Sequence, residues 1–290
     1  MWTTLKIINK YFWKSMFGPG VIFIFGPLYL FTITSTWSLL GIIKSPAVIP
    51  TTLAMVITFI GLFCIPLTVN NLRTSMVMKR LGTSRITQLT FLFSLFVYYF
   101  IASIICYLWM LISGFVIYSN RISDYTFIFS AIHWGDLLYS LTMNYLLAAT
   151  IGIFILSFSK RNYVIGVTAS VIVIFSFAFA GFATPINLIH VYFWKGVQTT
   201  LFDIVYIDPF WYTSSLSYES FFHITDDYYN LYASSIFDIT VPLIGKTIAT
   251  SDSLAHILTS VDKLANLVVP ILLIMGFSII DFKTFKWNVR

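Results

Sequence analysis

Apolar positions along this chain do not alternate at the period of a strand. Only near the start do they keep to one side of a helix. Six long apolar runs dominate instead, at about 21–41, 48–70, 89–117, 131–158, 163–184 and 265–281. A helix rises 1.5 Å per residue, so about 20 residues cross the ~30 Å hydrocarbon layer of a bilayer. The first five runs have that length, and the last reaches it if it begins a few residues earlier. The strands of a membrane barrel would be runs of about 10 residues with alternating polarity, whereas these runs are continuous. The pattern therefore predicts an all-α polytopic membrane protein with six transmembrane helices, with a kink at Gly26-Pro27 and Pro66 near the end of the second span.

Residues 1–17 carry Lys6, Lys10 and Lys14 on one helical face, and Trp2, Leu5, Ile8, Phe12 and Phe17 largely on others. This is the pattern of an amphipathic helix lying in the membrane interface, lysines toward anionic headgroups. Gly18-Pro19-Gly20 is expected to break it. No small-x-small cleavage site follows the apolar run, which speaks against a signal peptide. Residues 18–184 hold the first five spans, and 265–290 the last span and a tail. Between them, 185–264 is one large extramembrane segment. Its first half is apolar but interrupted by Asp203 and by Asp208-Pro209. Two readings stay open for it: a re-entrant passage covered by protein, or a loop lying on the headgroups. The second half is polar and reads as an outer cap.

Composition narrows the function classes. Charged residues make up 10% of the chain and mean hydropathy is +0.88, against about 25% charged in a soluble domain. A soluble enzyme and a nucleic-acid-binding domain are excluded. The net charge of +6 reports orientation. Twelve of the 17 basic residues fall in the N-terminal segment, the loop at 71–88, the loop at 159–162 and the tail. Of 11 acidic residues only Asp281 accompanies them. By the positive-inside rule both termini are cytoplasmic and 185–264 is outside. Cys64 and Cys106 lie within apolar runs and read as small buried hydrophobes.

Candidate chemistry is sparse. His133 and Asp136 sit at one end of the fourth span and Asp281 at the end of the sixth, none near a midplane. Ion-coupled carriers place titratable groups there. Asp226-Asp227 is an isolated pair, and the four histidines show no metal-ligand spacing. Gly245-Lys246-Thr247 imitates the end of a phosphate-binding loop, but position 240 is Thr240 where that motif needs glycine. No catalytic, metal or cofactor site is predicted, and the chain does not read as an enzyme.

Two stretches carry a resemblance. Leu72 to Arg85, with Arg73, Met76, Val77, Lys79, Arg80, Leu81 and Arg85, resembles the cytoplasmic segment of type-2 ABC exporter permeases, where a basic stretch precedes the third span. Gly181 to Pro185, then Asp208-Pro209-Phe210-Trp211-Tyr212, is similar to that family's glycine and proline after the fifth span and its Asn-Pro-x-x-Tyr-like step before the sixth. The resemblance covers most of 1–220 and 265–290. Position 208 is Asp where the family usually has Asn, the basic segment lacks acidic neighbours, and the segment at about 222–262 is longer than in common members.

The resemblance implies a transmembrane subunit of an ATP-driven exporter for a lipid-like, drug-like or other amphipathic substrate. It implies an ABC ATPase partner that binds ATP and Mg, docking on the segment at 73–81. It also implies a second permease chain, in a homo- or heterodimer through the first and fifth spans. Small residues on the fifth (Gly166, Ala169, Ser170, Ala178, Ala180) would permit close approach. Phe23, Phe25, Phe59 and Phe63 are the expected pathway lining, and the expected location is a bacterial plasma membrane. The competing expectation is a polytopic assembly protein whose outer segment binds another protein or lipid.

Overall fold

A computed structural model of the chain describes residues 2–15, 17–39, 48–74, 87–119, 132–159, 161–182, 205–221 and 260–284. Every regular element among them is helical. Helix α1 (Trp2–Lys14) is followed by α2 (Phe17–Gly20), a π-helical turn (Val21–Phe25) and α3 (Gly26–Leu39). Then come α4 (Val48–Phe59), a second π-helical turn (Ile60–Cys64) and α5 (Ile65–Thr74). The remainder are α6 (Gln88–Ser119), α7 (Trp134–Phe158), α8 (Asn162–Phe179), α9 (Trp211–Phe221) and α10 (Ser260–Thr284). Six stretches are long and apolar enough to cross a membrane: Gly18–Thr36, Ile49–Arg73, Thr90–Ile117, Trp134–Phe158, Asn162–Phe179 and Leu264–Phe282.

The two π-helical turns have one cause. Each ends two residues before a proline, Pro27 or Pro66. A proline ring clashes with the carbonyl four residues back and supplies no N–H. A wider turn relieves the clash, so the Gly26 N–H bonds to Val21 O and the Ile65 N–H to Ile60 O, five residues back. The wider turn also leaves carbonyls for other partners: Trp109 Nε1 donates to Phe23 O at 3.2 Å.

Two expected boundaries shift. Gly18-Pro19-Gly20 does not break the chain's helix; Pro19 lies in the first turn of α2, where an N–H has no helical partner to lose. The break falls instead after Lys14, where the Ser15 hydroxyl donates to Phe12 O at 3.1 Å. The fifth span stops at Phe179, short of 184, because Gly181 follows with φ 78°. That left-handed conformation is open to glycine and ends the helix.

Helix α7 is the axis of the bundle. On one side it meets the second span, and on another it meets α9 and α10. Its contact with the second span is backbone on backbone. A Cβ on Gly152 would lie 2.7 Å from Gly61 O, and one on Gly61 would lie 2.8 Å from the Ala148 carbonyl carbon. Helices α3 and α6 pack behind α4, and α8 leans on α5 and α7. Helix α1 buries Thr4, Ile8 and Phe12, spaced by four. The Phe12 ring meets Tyr98 and Tyr99 of α6 edge-on at 5.5 and 6.0 Å. Lys6, Lys10 and Lys14 are exposed.

Candidate functional site

The least expected element is α9. Its sequence, WYTSSLSYESF, is rich in hydroxyls, yet Thr213, Ser214, Ser215, Ser217 and Ser220 are all buried. Burial is tolerable because each hydroxyl is paired. Thr213 donates to Asn144 Oδ1 at 2.8 Å, Ser214 to Ala180 O at 2.5 Å, Ser217 to Pro50 O at 3.3 Å, and Ser220 to Ser217 O at 2.7 Å. Asn266 of α10 reaches Ser215 at 3.4 Å. Asn144 is the node of this network: its amide also donates to Ala54 O and to Thr58 Oγ1, at 2.7 and 2.9 Å.

These bonds fix the depth of α9. Its last turn lies beside the start of α7, where the His133 N–H donates to Ser220 O at 2.8 Å. Its first turn lies beside Asn144, eleven positions further along, or about 16 Å. The N-terminus of α9 therefore points into the bundle. Helix α8 ends at the same depth, since Ser214 of α9 bonds to Ala180 O. The fifth crossing thus stops inside the bundle, and α9 covers the remaining distance beside α7.

Asp208 and Pro209 start that helix. Asp208 Oδ1 accepts from the Phe210 N–H at 2.9 Å, and the Trp211 N–H bonds to Asp208 O at 3.1 Å. An aspartate cap with proline next to it is a strong helix-start pattern. Oδ1 also accepts from Ser176 of α8 at 3.1 Å. Asp208 is fully buried. The Tyr212 hydroxyl donates to Tyr206 O at 2.8 Å and closes the turn around Asp208-Pro209. Structure thus brings Gly181, Asp208, Pro209 and Tyr212 to one joint. Pro185 lies outside the described residues.

An aromatic wall stands where the first, second and fifth spans meet. Phe25 and Phe59 approach to 4.8 Å between ring centres, and Phe59 stacks on Phe63 at 4.2 Å. Two residues that sequence reasoning missed extend it. Tyr29 stacks on Phe25 at 5.9 Å and meets Phe177 of α8 at 6.0 Å. The Tyr29 hydroxyl donates to Phe182 O at 2.7 Å, beside Gly181. Phe23 is not part of the wall; it is exposed and stacks on Trp13 of α1 at 6.3 Å.

At the opposite end of the bundle, Arg73 is half-buried in the last turn of α5. Met76, Val77, Lys79, Arg80, Leu81 and Arg85 lie outside the described residues. Three asparagines join this end of the second span to the start of the fifth. Asn70 Nδ2 donates to Asn162 Oδ1 at 2.6 Å, and Asn162 Nδ2 donates to Asn71 Oδ1 at 2.7 Å. Lone amides in or beside apolar runs, such as Asn144 and Asn162, were the available signal for these networks, because a buried amide must find partners.

Among the described residues no group of histidines, cysteines and acidic residues is placed to hold a metal ion. Cys64 and Cys106 are free and buried. His133 Nδ1 pairs with Asp136 at 2.8 Å on the exposed start of α7. Comparison with protein-family models, with curated proteins and with solved structures gave no match.

Proposed function

We propose that the chain is the transmembrane permease subunit of an ATP-driven exporter of the type-2 ABC class, moving a lipid-like, drug-like or other amphipathic substrate outward. The observation that carries this reading is α9, a buried polar helix placed just before the last span and started by Asp208-Pro209. It agrees with the sequence resemblance at Gly181 and at 208–212. A helix that completes a broken crossing is a common way to build a site inside a membrane, since non-helical backbone is sheltered there by protein. In this reading 205–221 is re-entrant from outside. The aromatic wall of Phe25, Tyr29, Phe59, Phe63 and Phe177 borders the pathway.

Energy comes from a separate ATPase that binds ATP and Mg, docking on the cytoplasmic segment after Arg73. The asparagine bridge supports this placement, because it ties that segment's root to the fifth span. Both termini and 159–162 are cytoplasmic in this reading, α1 lies in the headgroups, and a second permease chain completes the transporter.

The test is co-expression with ATPase candidates encoded beside the gene, followed by purification and assay of ATP hydrolysis with amphipathic compounds. A stable complex with stimulated hydrolysis is expected. The triple variant Met76→Ala, Val77→Ala, Arg80→Ala should lose the partner or its stimulation, since a few buried anchors of about 2 kcal/mol or more dominate such interfaces. Full transport in that variant overturns the coupling assignment. Co-purification with an envelope protein bound to 222–262, and with no ATPase, favours the assembly-protein reading. Labelling of a cysteine at Thr83 by an impermeant reagent on intact cells overturns the orientation.

A further inference from the structure

The exposed face of α1 is divided lengthwise. Thr4, Ile8 and Phe12 are buried, so at 3.6 residues per turn Lys6 and Lys10 fall on the opposite line of the helix, where both are exposed. Trp2 and Trp13, about three turns apart, share one flank of that line, and Thr3 and Lys14 share the other. The indoles are 70% and 58% exposed. Their flank is turned toward the first span, because Trp13 stacks on Phe23 at 6.3 Å with the ring planes 25° apart. Indole rings, apolar with one polar edge, favour the border between acyl chains and headgroups. One flank of α1 therefore meets the acyl chains, and the lysines stand at the level of the phosphates.

Three contacts hold the corner below Trp13 in shape. The Phe12 ring packs so closely on Gly18 that a Cβ would not fit there. The Tyr98 hydroxyl donates to Asn9 Oδ1 at 2.8 Å and ties α6 to α1, while Trp109 Nε1 donates to Phe23 O at 3.2 Å and ties α6 to the first span. Tyr98 and Trp109 lie on one face of α6, about 16 Å apart along its axis. Ile101 and Ile105, between them on that face, are exposed. The strip matches the depth of one leaflet, half of the ~30 Å hydrocarbon layer. Its upper end lies at α1, where Lys10 and Trp13 are neighbours at i, i+3. Lys6 Nζ leans back over the Trp2 ring, 5.7 Å from its centre, which leaves Lys10 nearest the corner. The chain has no acidic residue before Asp124, and among the described residues no carboxylate pairs with the lysines of α1.

We propose that this corner is a seat for one anionic phospholipid of the surrounding bilayer, its phosphate on Lys10 with Lys6 and Lys14 to either side, and an acyl chain laid over Trp13, Phe23 and the exposed isoleucines of α6. The occupant follows from the two ends of the site. One end offers positive charge without a protein counter-ion, and the other offers apolar surface one leaflet deep; an anionic lipid is complementary to both. Bound there, it touches α1, the first span and α6 together and holds α1 against the membrane surface. The seat rests on α1 lying at that surface and stands whether or not the chain is an exporter.

The experiment titrates the full chain, purified in dodecyl maltoside, with dioleoyl phosphatidylglycerol or dioleoyl phosphatidylcholine and counts bound lipid by native mass spectrometry. One phosphatidylglycerol should be retained more tightly than those that follow it, and phosphatidylcholine at equal concentration should not displace it. Lys10→Gln should weaken that first binding about fivefold, and Lys10→Arg should leave it unchanged. Trp13→Ala, which keeps every charge, should weaken it about threefold. Arg161→Gln removes one exposed positive charge just before α8 and should change it by less than about twofold. All three positions are exposed, so the variants should keep the wild-type unfolding temperature. Equal losses from Lys10→Gln and Arg161→Gln, or none from Trp13→Ala, would reduce the attraction to diffuse charge and overturn the seat. Equal retention of phosphatidylcholine would overturn it as well.

Discussion

The second and sixth spans are nearly equal in apolar character, yet 89% of the one and 11% of the other is buried within the chain. Hydrophobicity cannot account for that difference, because lipid tails are as apolar as leucine and give helices little reason to associate. Shape and polar pairing account for it. The second span offers Gly61 to the backbone of α7, and it exchanges hydrogen bonds with its neighbours through Thr58 and Thr68. The sixth span presents Leu264, Val268, Leu272, Met275 and Ile279 outward, and Gly276 faces open space. The second and fourth spans form the packed centre of the molecule; the fifth and sixth lean against it and leave broad apolar faces uncovered.

The hardest way to break that contrast is to fill the central contact. Gly61→Leu and Gly152→Leu should each cost more than about 3 kcal/mol, because the added side chain meets backbone that cannot step aside. Gly166→Leu on α8 and Gly276→Leu on α10 meet nothing within 4 Å, and should change stability by less than about 1 kcal/mol, helped by leucine's better helix propensity. Thermal unfolding in one detergent, all four variants side by side, measures the difference. Equal losses in the two pairs would remove the distinction between centre and rim.

The sequence made the six crossings legible because long apolar runs require only length and composition. It did not separate centre from rim, since that depends on which face of each run carries small residues and which hydroxyls meet across helices. It also left α9 undecided. Its serines and threonines read as a solvated loop, and only the three-dimensional partners, Ala180 O, Pro50 O and Asn144, make their burial tolerable. Phe25, Phe59 and Phe63 could be selected from their spans, whereas Phe23, two residues and so about half a helical turn from Phe25, faces Trp13. The segment after Arg73 rests on the resemblance alone. Asn144 lets this polar network be weighed: Asn144→Leu should cost about 2 kcal/mol, from the loss of its three bonds to Thr213, Ala54 O and Thr58, although Thr213 keeps Phe210 O and Ala54 O keeps Thr58. Thr168→Val on the exposed face of α8 should be near neutral.

The smallest effect on the folded chain distinguishes the two rim spans from each other. The expected dimer through the first and fifth spans rested on five small residues of α8 and its end. Ala169 and Ala180 turn out to be buried within the chain. Gly166, Ser170 and Ala178 remain at least partly open, beside exposed Val167, Val171 and Ile174. That face combines small and β-branched residues, which let two backbones approach closely. The outward face of α10 is bulkier and suits lipid. Val171→Cys, in a chain lacking Cys64 and Cys106, should give a cross-linked dimer in native membranes, while Val268→Cys on α10 should not. Neither change should alter unfolding by more than about 0.5 kcal/mol, because neither site is packed within the chain. A dimer band from α10 alone would exchange the roles of the two spans. A complex purified with a single copy of the chain would leave both faces to lipid.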